Sequence, residues 1–164
     1  MQNLILIGMM GCGKTTVGGL LSARLGLELA DTDALIQARE GRPIPEIFSE
    51  HGEAYFRDLE RAVSEELGKR EGLIVACGGG LPMQDGAIAA LKQSGPVFWL
   101  RRDPGETYDG LDVSGRPLAQ AGRAEFIARY EQREPVYRRW ADHIIEEGTP
   151  GAAAEAVAGL YLGM

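Results

Sequence analysis

Leu4-Ile5-Leu6-Ile7 running into Gly8-Met9-Met10-Gly11-Cys12-Gly13-Lys14-Thr15 is the stretch that decides the fold. Its second part matches G-x-x-x-x-G-K-[ST], and the apolar run before it is the buried strand such a loop needs. Glycines let the backbone curl until consecutive N–H groups face inward, and the following helix adds the positive end of its dipole. Val17, Leu20, Leu21 and Leu25 supply the apolar periodicity of that helix. In such a loop the lysine, here Lys14, bridges the β- and γ-phosphates, and the hydroxyl of Thr15 reaches Mg²⁺. Gly11, Cys12, Gly13, Lys14, Thr15 and Thr16 are therefore the candidate contacts to a nucleoside triphosphate.

Outward from this loop, apolar runs alternate with helical periodicities. Strands are expected at 3–7, 27–30, 73–76, 96–100 and 143–146. Helices are expected at about 14–25, around 35–39 and 44–48, from Gly52 onward, and near 87–93, 124–130, 136–140 and 152–162. Strands that are nearly all apolar and alternate with helices imply a parallel sheet covered on both faces, with ligands at the carboxyl ends of its strands. Residues 102–122 are rich in Gly, Asp and Arg with little periodicity, which reads as a lid.

At 164 residues, 45% hydrophobic and 25% charged, the chain is expected to form one globular domain. A net charge of −7 argues against nucleic acid or an anionic membrane as partner, so any anion site must be locally basic. No apolar run is long enough to span a bilayer or to form a secretory core, so a cytoplasmic enzyme is expected. Two cysteines, Cys12 and Cys77, and two histidines, His51 and His143, lack the spacing of a zinc site.

Asp31 and Asp33 flank Thr32 at the end of the second strand. On an extended segment both carboxylates point the same way, one suited to Mg²⁺ and the other to a substrate hydroxyl, although the same residue types also favour a helix N-cap. The strand at 73–76 ends in Cys-Gly rather than a metal-linked Asp, which makes Asp31 the alternative supply. Arg57 and Glu60, three apart on a helix, form either a surface pair or a preorganised grip for a carboxylate. Gly78-Gly79-Gly80 closes a strand, either as a flexible turn or as a floor whose backbone N–H groups reach a small polar ligand. Arg116, inside the lid, and Arg133 are candidate anion ligands, each unremarkable alone.

Taken in order, GMMGCGKTTVG, DTD, FRDLE, GGG, GRPL and REPVYRRWAD resemble the shikimate kinase family from Gly8 to about Asp142. The resemblance implies a three-layer α/β P-loop kinase with a five-stranded parallel sheet flanked by helices, a substrate-binding region at about 32–62 and a lid at about 102–122. It implies phosphoryl transfer from ATP to the 3-hydroxyl of shikimate by a monomer, with Mg²⁺ as cofactor. Asp33 would be the base, with Lys14 and Arg116 stabilising the phosphoryl group. Arg57 and Arg133 would bind the carboxylate, Glu60 would orient Arg57, and Gly78, Gly79 and Gly80 would line the pocket. Thr15 and Asp31 would hold Mg²⁺, and Pro150 would lie at the base of the nucleotide. Against that pattern the chain has Asp109 where an adenine-packing Arg is common, and it lacks an Arg shortly before Pro150. Losing both cation–π contacts implies weaker selection of adenine, which the ATP-to-GTP specificity ratio measures. The two thiols, Cys12 and Cys77, would be near neighbours if the third strand lies beside the first. A gluconate-type kinase and an idle nucleotide-binding module remain as alternatives.

Overall fold

The computed structural model describes residues 1–111 and 122–164. Strands β1 (Leu4–Ile7), β2 (Glu28–Asp31), β3 (Leu73–Ala76), β4 (Val97–Leu100) and β5 (His143–Ile145) form one parallel sheet in the order β2-β3-β1-β4-β5. The helices are α1 (Lys14–Leu25), α2 (Thr32–Glu40), α3 (Ile44–Leu67), α4 (Asp85–Lys92), α5 (Pro104–Asp109), α6 (Arg123–Trp140) and α7 (Pro150–Leu162). Because side chains alternate along a strand, Ile5, Ile7, Val75 and Trp99 pack on one face with α2, α3, α4 and α6. Leu4, Leu6, Ile74 and Phe98 pack on the other face with α1 and α7. Both faces are covered, so β1, β3 and β4 are apolar at every position.

This order places β1 at the centre, with β3 on one side and β4 on the other. The chain therefore changes direction across the sheet at the carboxyl end of β1, where open α/β sheets hold ligands. The loop Gly8–Thr15 lies there. Buried Asn3 anchors the opposite end: its amide donates to the carbonyls of Leu67 (3.2 Å) and Arg70 (2.9 Å) and accepts from Leu73 N–H (2.9 Å).

Three expectations change. The segments at 44–48 and beyond Gly52 form one span, Ile44–Leu67, interrupted at Gly52, whose φ of 83° leaves the helical region. The two helical pieces expected on either side of Pro135 form one helix, Arg123–Trp140. Pro135 cannot bond the carbonyl of Glu131, but both residues are exposed, which leaves the vacant acceptor open to solvent. The segment expected to be an irregular lid opens with α5, capped by Asp103, whose Oδ2 accepts from Glu106 N–H at 2.9 Å. The rest of that lid, with Arg116, lies outside the described residues.

The thiols also correct the sequence reading. β3 does pair with β1, yet Cys12 belongs to the apolar cluster on one face of the sheet and Cys77 to that on the other. Both are buried and free.

Candidate active site

Gly11 (φ 78°) and Gly13 (φ 98°) adopt left-handed backbone that other residues rarely tolerate, and this curls the loop onto the start of α1. No side chain caps α1, so its first amides are left for an anion. Lys14 lies back over the loop, its Nζ donating to the carbonyls of Gly8 (2.6 Å) and Met9 (2.9 Å). Gly11, Gly13, Lys14, Thr15 and Thr16 line a pocket of about 500 Å³ with Asp31, Asp33 and Gly79. The Cys12 side chain packs into the apolar cluster beneath the loop, with Lys14 Nζ 3.7 Å from its sulfur. Pro150, the first residue of α7, lines a separate small cleft with Cys12 and Arg102.

Asp31 and Asp33 do not share an extended segment. β2 ends at Asp31, which caps α2, and Asp33 sits in the first helical turn. Asp31 combines the two roles its sequence left open. Oδ1 accepts from Ala34 N–H (3.1 Å), while Oδ2 accepts from the Thr15 hydroxyl (2.9 Å). Between them, buried Thr32 accepts the N–H of Gly78 at 2.9 Å. That amide is therefore engaged within the fold and does not face a ligand, contrary to the expectation for the glycine run.

Beside the phosphate pocket lies a smaller cavity of about 80 Å³, and Met10, Asp33, Ile44, Gly78 and Gly79 line both. Arg57 enters the smaller cavity from α3, its Nη1 donating to Glu60 Oε1 (2.5 Å) and its Nη2 to Glu53 (3.3 Å). Glu60 is only 1% exposed and also accepts from Gln84 Nε2 at 2.9 Å. This is a buried network, not the surface pair that spacing alone allowed. Burial lifts the Glu60 carboxyl to about 7, against the pull of Arg57 and with a push from Asp33. Arg133 reaches the same cavity from α6 and is 5% exposed. Among the described residues no carboxylate lies within ion-pair distance of it, and desolvation lowers its pKa.

The three glycines make room for these charges. A Cβ on Gly78 would come within 2.6 Å of Asp33 Oδ1 and 3.0 Å of Glu60 Oε2. One on Gly79 would lie 3.2 Å from Arg133 Nη1, and one on Gly80 would lie 2.6 Å from both terminal nitrogens of Arg57. Tyr137, one turn beyond Arg133, donates its hydroxyl to the Gly79 carbonyl at 2.6 Å and fixes the floor from below. Burial holds that phenol well above its usual range, so it stays a donor.

A sequence model of the family described as shikimate kinase matches residues 10–159. The chain belongs to the shikimate kinase family. The shikimate kinase of Burkholderia lata is 42% identical over 153 residues, spanning 90% of this chain and 82% of that protein. The solved shikimate kinase of Acinetobacter baumannii in complex with shikimate superposes with a TM-score of 0.90 at 36% identity, covering 98% of this chain and 90% of that one. That of Aquifex aeolicus gives a TM-score of 0.86 at 34% identity, covering 98% and 96%. A gluconokinase from Sinorhizobium meliloti, at 14% identity and a TM-score of 0.51, shares only the fold. Membership of the shikimate kinase family makes this chain an ATP-dependent kinase with the three-layer α/β fold expected.

Within that family frame, sequence reasoning missed Thr32, Gln84 and Tyr137. Each acts on a partner remote in sequence, and neither spacing nor residue type marks such a contact. Asp109 pairs with Arg123 at 3.0 Å. No described helix is long and apolar enough to cross a membrane.

Proposed function

We propose that the chain transfers the γ-phosphoryl group of ATP to the 3-hydroxyl of shikimate, giving shikimate 3-phosphate and ADP on the route to chorismate and the aromatic amino acids. One observation carries the acceptor: buried Arg133, without an acid partner among the described residues, faces the same small cavity as Arg57. A desolvated guanidinium of this kind calls for an anion, and two guanidinium groups fit a planar carboxylate. Shikimate supplies one.

With the carboxylate held by Arg57 and Arg133, the ring's hydroxyls lie toward Asp33, at the junction of the two cavities. Asp33 orients the accepting hydroxyl and takes its proton as the oxygen bonds to phosphorus, while ADP leaves with the electron pair of the broken P–O bond. Lys14 exchanges its bonds to Gly8 and Met9 for phosphate oxygens. Arg116 joins it in the roles given by the family resemblance. Gly78, Gly79 and Gly80 keep the pocket floor free of side chains.

Thr15 and Asp31 fit a Mg²⁺ site: a hydroxyl and a carboxylate, hard oxygens 2.9 Å apart beside the phosphate pocket. Mg²⁺ commonly takes one or two protein oxygens together with phosphate and water. When bound, the ion would neutralise phosphate charge. We propose that it acts as a single-domain monomer in the cytoplasm. Shikimate-dependent ADP release tests the reading, with gluconate and nucleoside monophosphates as competing acceptors. Turnover with either of those and none with shikimate would refute it, and binding of ATP and shikimate without turnover would favour the idle module.

A further inference from the structure

Resting on the acceptor reading above, we propose that Glu60 is a proton-linked positioning residue: when the acceptor's carboxylate enters, Glu60 takes up a proton on Oε2 and so offsets the negative charge added to the buried cavity. The two oxygens of Glu60 have different surroundings. Oε1 accepts from Arg57 Nη1 at 2.5 Å and from Gln84 Nε2 at 2.9 Å. Oε2 faces Gly78, where a Cβ would lie 3.0 Å from it and 2.6 Å from Asp33 Oδ1. Two carboxylate oxygens that close to a single point fall within the ~6 Å at which like charges disturb each other's titration.

A bound carboxylate adds one negative charge to a site where Glu60 is 1% and Arg133 is 5% exposed and where Arg57 already pairs with Glu60 and Glu53. Protonating Glu60 offsets that added charge. It does so without losing the Arg57 bond, because Oε1 remains an acceptor while Oε2 carries the proton. It also releases Arg57 from competition between its own partner and the incoming carboxylate.

The described groups around Glu60 support this assignment. Arg57 comes from its own helix, Asp33 from α2 and Arg133 from α6, while Glu53 acts on Arg57, and Cys77 at the end of β3 feels Glu60 together with Lys14, Asp33 and Asp31. Burial holds the Cys77 thiol far above its ordinary range, so it does not exchange protons at neutral pH. Burial and the neighbouring Asp33 lift the empty pocket's Glu60 to about 7, within reach of a single added charge.

Calorimetric titration of the whole enzyme with shikimate, in buffers of different ionisation enthalpy, counts protons directly. Wild type is expected to take up close to one proton per shikimate near pH 8 and almost none near pH 6, where Glu60 is already protonated. Glu60→Gln, which resembles the protonated form, is expected to take up none at either pH. Its shikimate KM should stay flat while that of wild type rises several-fold over the same range. If Glu60→Gln does not fold, infrared difference spectra of wild type report the same event as growth of a buried carboxylic C=O band on shikimate binding. Binding without proton uptake by wild type overturns the proposal and leaves the acceptor reading intact, as does equal uptake by Glu60→Gln. No binding of shikimate overturns the acceptor reading and the proposal with it.

Discussion

Replacing Gly80 by alanine tests whether the glycine run exists to admit Arg57. The Gly80 backbone has φ −93° and ψ −6°, open to any L-residue, so alanine introduces no backbone strain. Its Cβ would stand 2.6 Å from Nη1 and Nη2 of Arg57 and 2.8 Å from Cζ, too close for the guanidinium to remain. The side chain is partly exposed and can swing aside, so the cost falls on acceptor binding rather than folding. Losing the Arg57 contact removes a charged hydrogen bond of about 1.5–3 kcal/mol, or roughly 10- to 150-fold in the KM for shikimate. kcat should hold within about two-fold, because that contact is made in both ground and transition states. Gly79→Ala is the control: its Cβ would lie 3.2 Å from Arg133 Nη1 and 3.4 Å from Met10 N, a misfit of a few tenths of an ångström. It should raise KM by less than about three-fold. Steady-state kinetics with a coupled ADP assay, beside thermal melts of both variants, measures all of this. The reasoning fails if Gly80→Ala keeps the wild-type KM, or if Gly79→Ala is the more damaging change.

Arg133→Met keeps the bulk and removes the buried charge, so it should raise the KM for shikimate about 100-fold and leave that for ATP near wild type; equal effects on both substrates would place Arg133 elsewhere. Glu60 is protonated in both folded and unfolded chains below its ordinary 4.5, but between 4.5 and about 7 only the unfolded chain ionises. Wild type should therefore lose up to about 3 kcal/mol relative to Glu60→Gln as pH rises through that window and level off above it, and a constant difference in urea unfolding at pH 5 and pH 8 would contradict this. With Cys12 and Cys77 buried on opposite faces of the sheet, neither should react quickly with a thiol reagent in the native state, and mild oxidant should leave activity unchanged. Rapid labelling accompanied by loss of ATP binding would restore the link between them.

The phosphate loop was legible because its signal is local: glycine spacing, Lys14 and the apolar run before them lie within a dozen residues. β3 was equally plain, since a strand buried on both faces is apolar throughout. Asp31 and Asp33 were found as a pair but given the wrong backbone, because the cap that Asp31 forms with Ala34 turns the chain before Asp33. α6 was divided at Pro135 because the cost of a helical proline depends on whether the orphaned carbonyl meets water, which is a tertiary property. Gly78–Gly80 is legible as a floor, but the Gly78 amide is engaged by Thr32, and the glycines also supply space for Asp33, Glu60, Arg133 and Arg57, which residue type alone does not mark. The adenine side was read only as a departure, and the Asp109–Arg123 pair gives that departure a local partner.

The central claim is a division of labour within one cavity, with Arg57 gripping the acceptor and Asp33 acting on the hydroxyl. Shikimate-dependent ADP release by Asp33→Asn and Arg57→Ala tests it most directly. Asp33→Asn should lower kcat by about 100-fold or more with a small change in KM, while Arg57→Ala should chiefly raise the KM for shikimate. Wild-type kinetics in both variants, or the opposite split between them, would contradict the account.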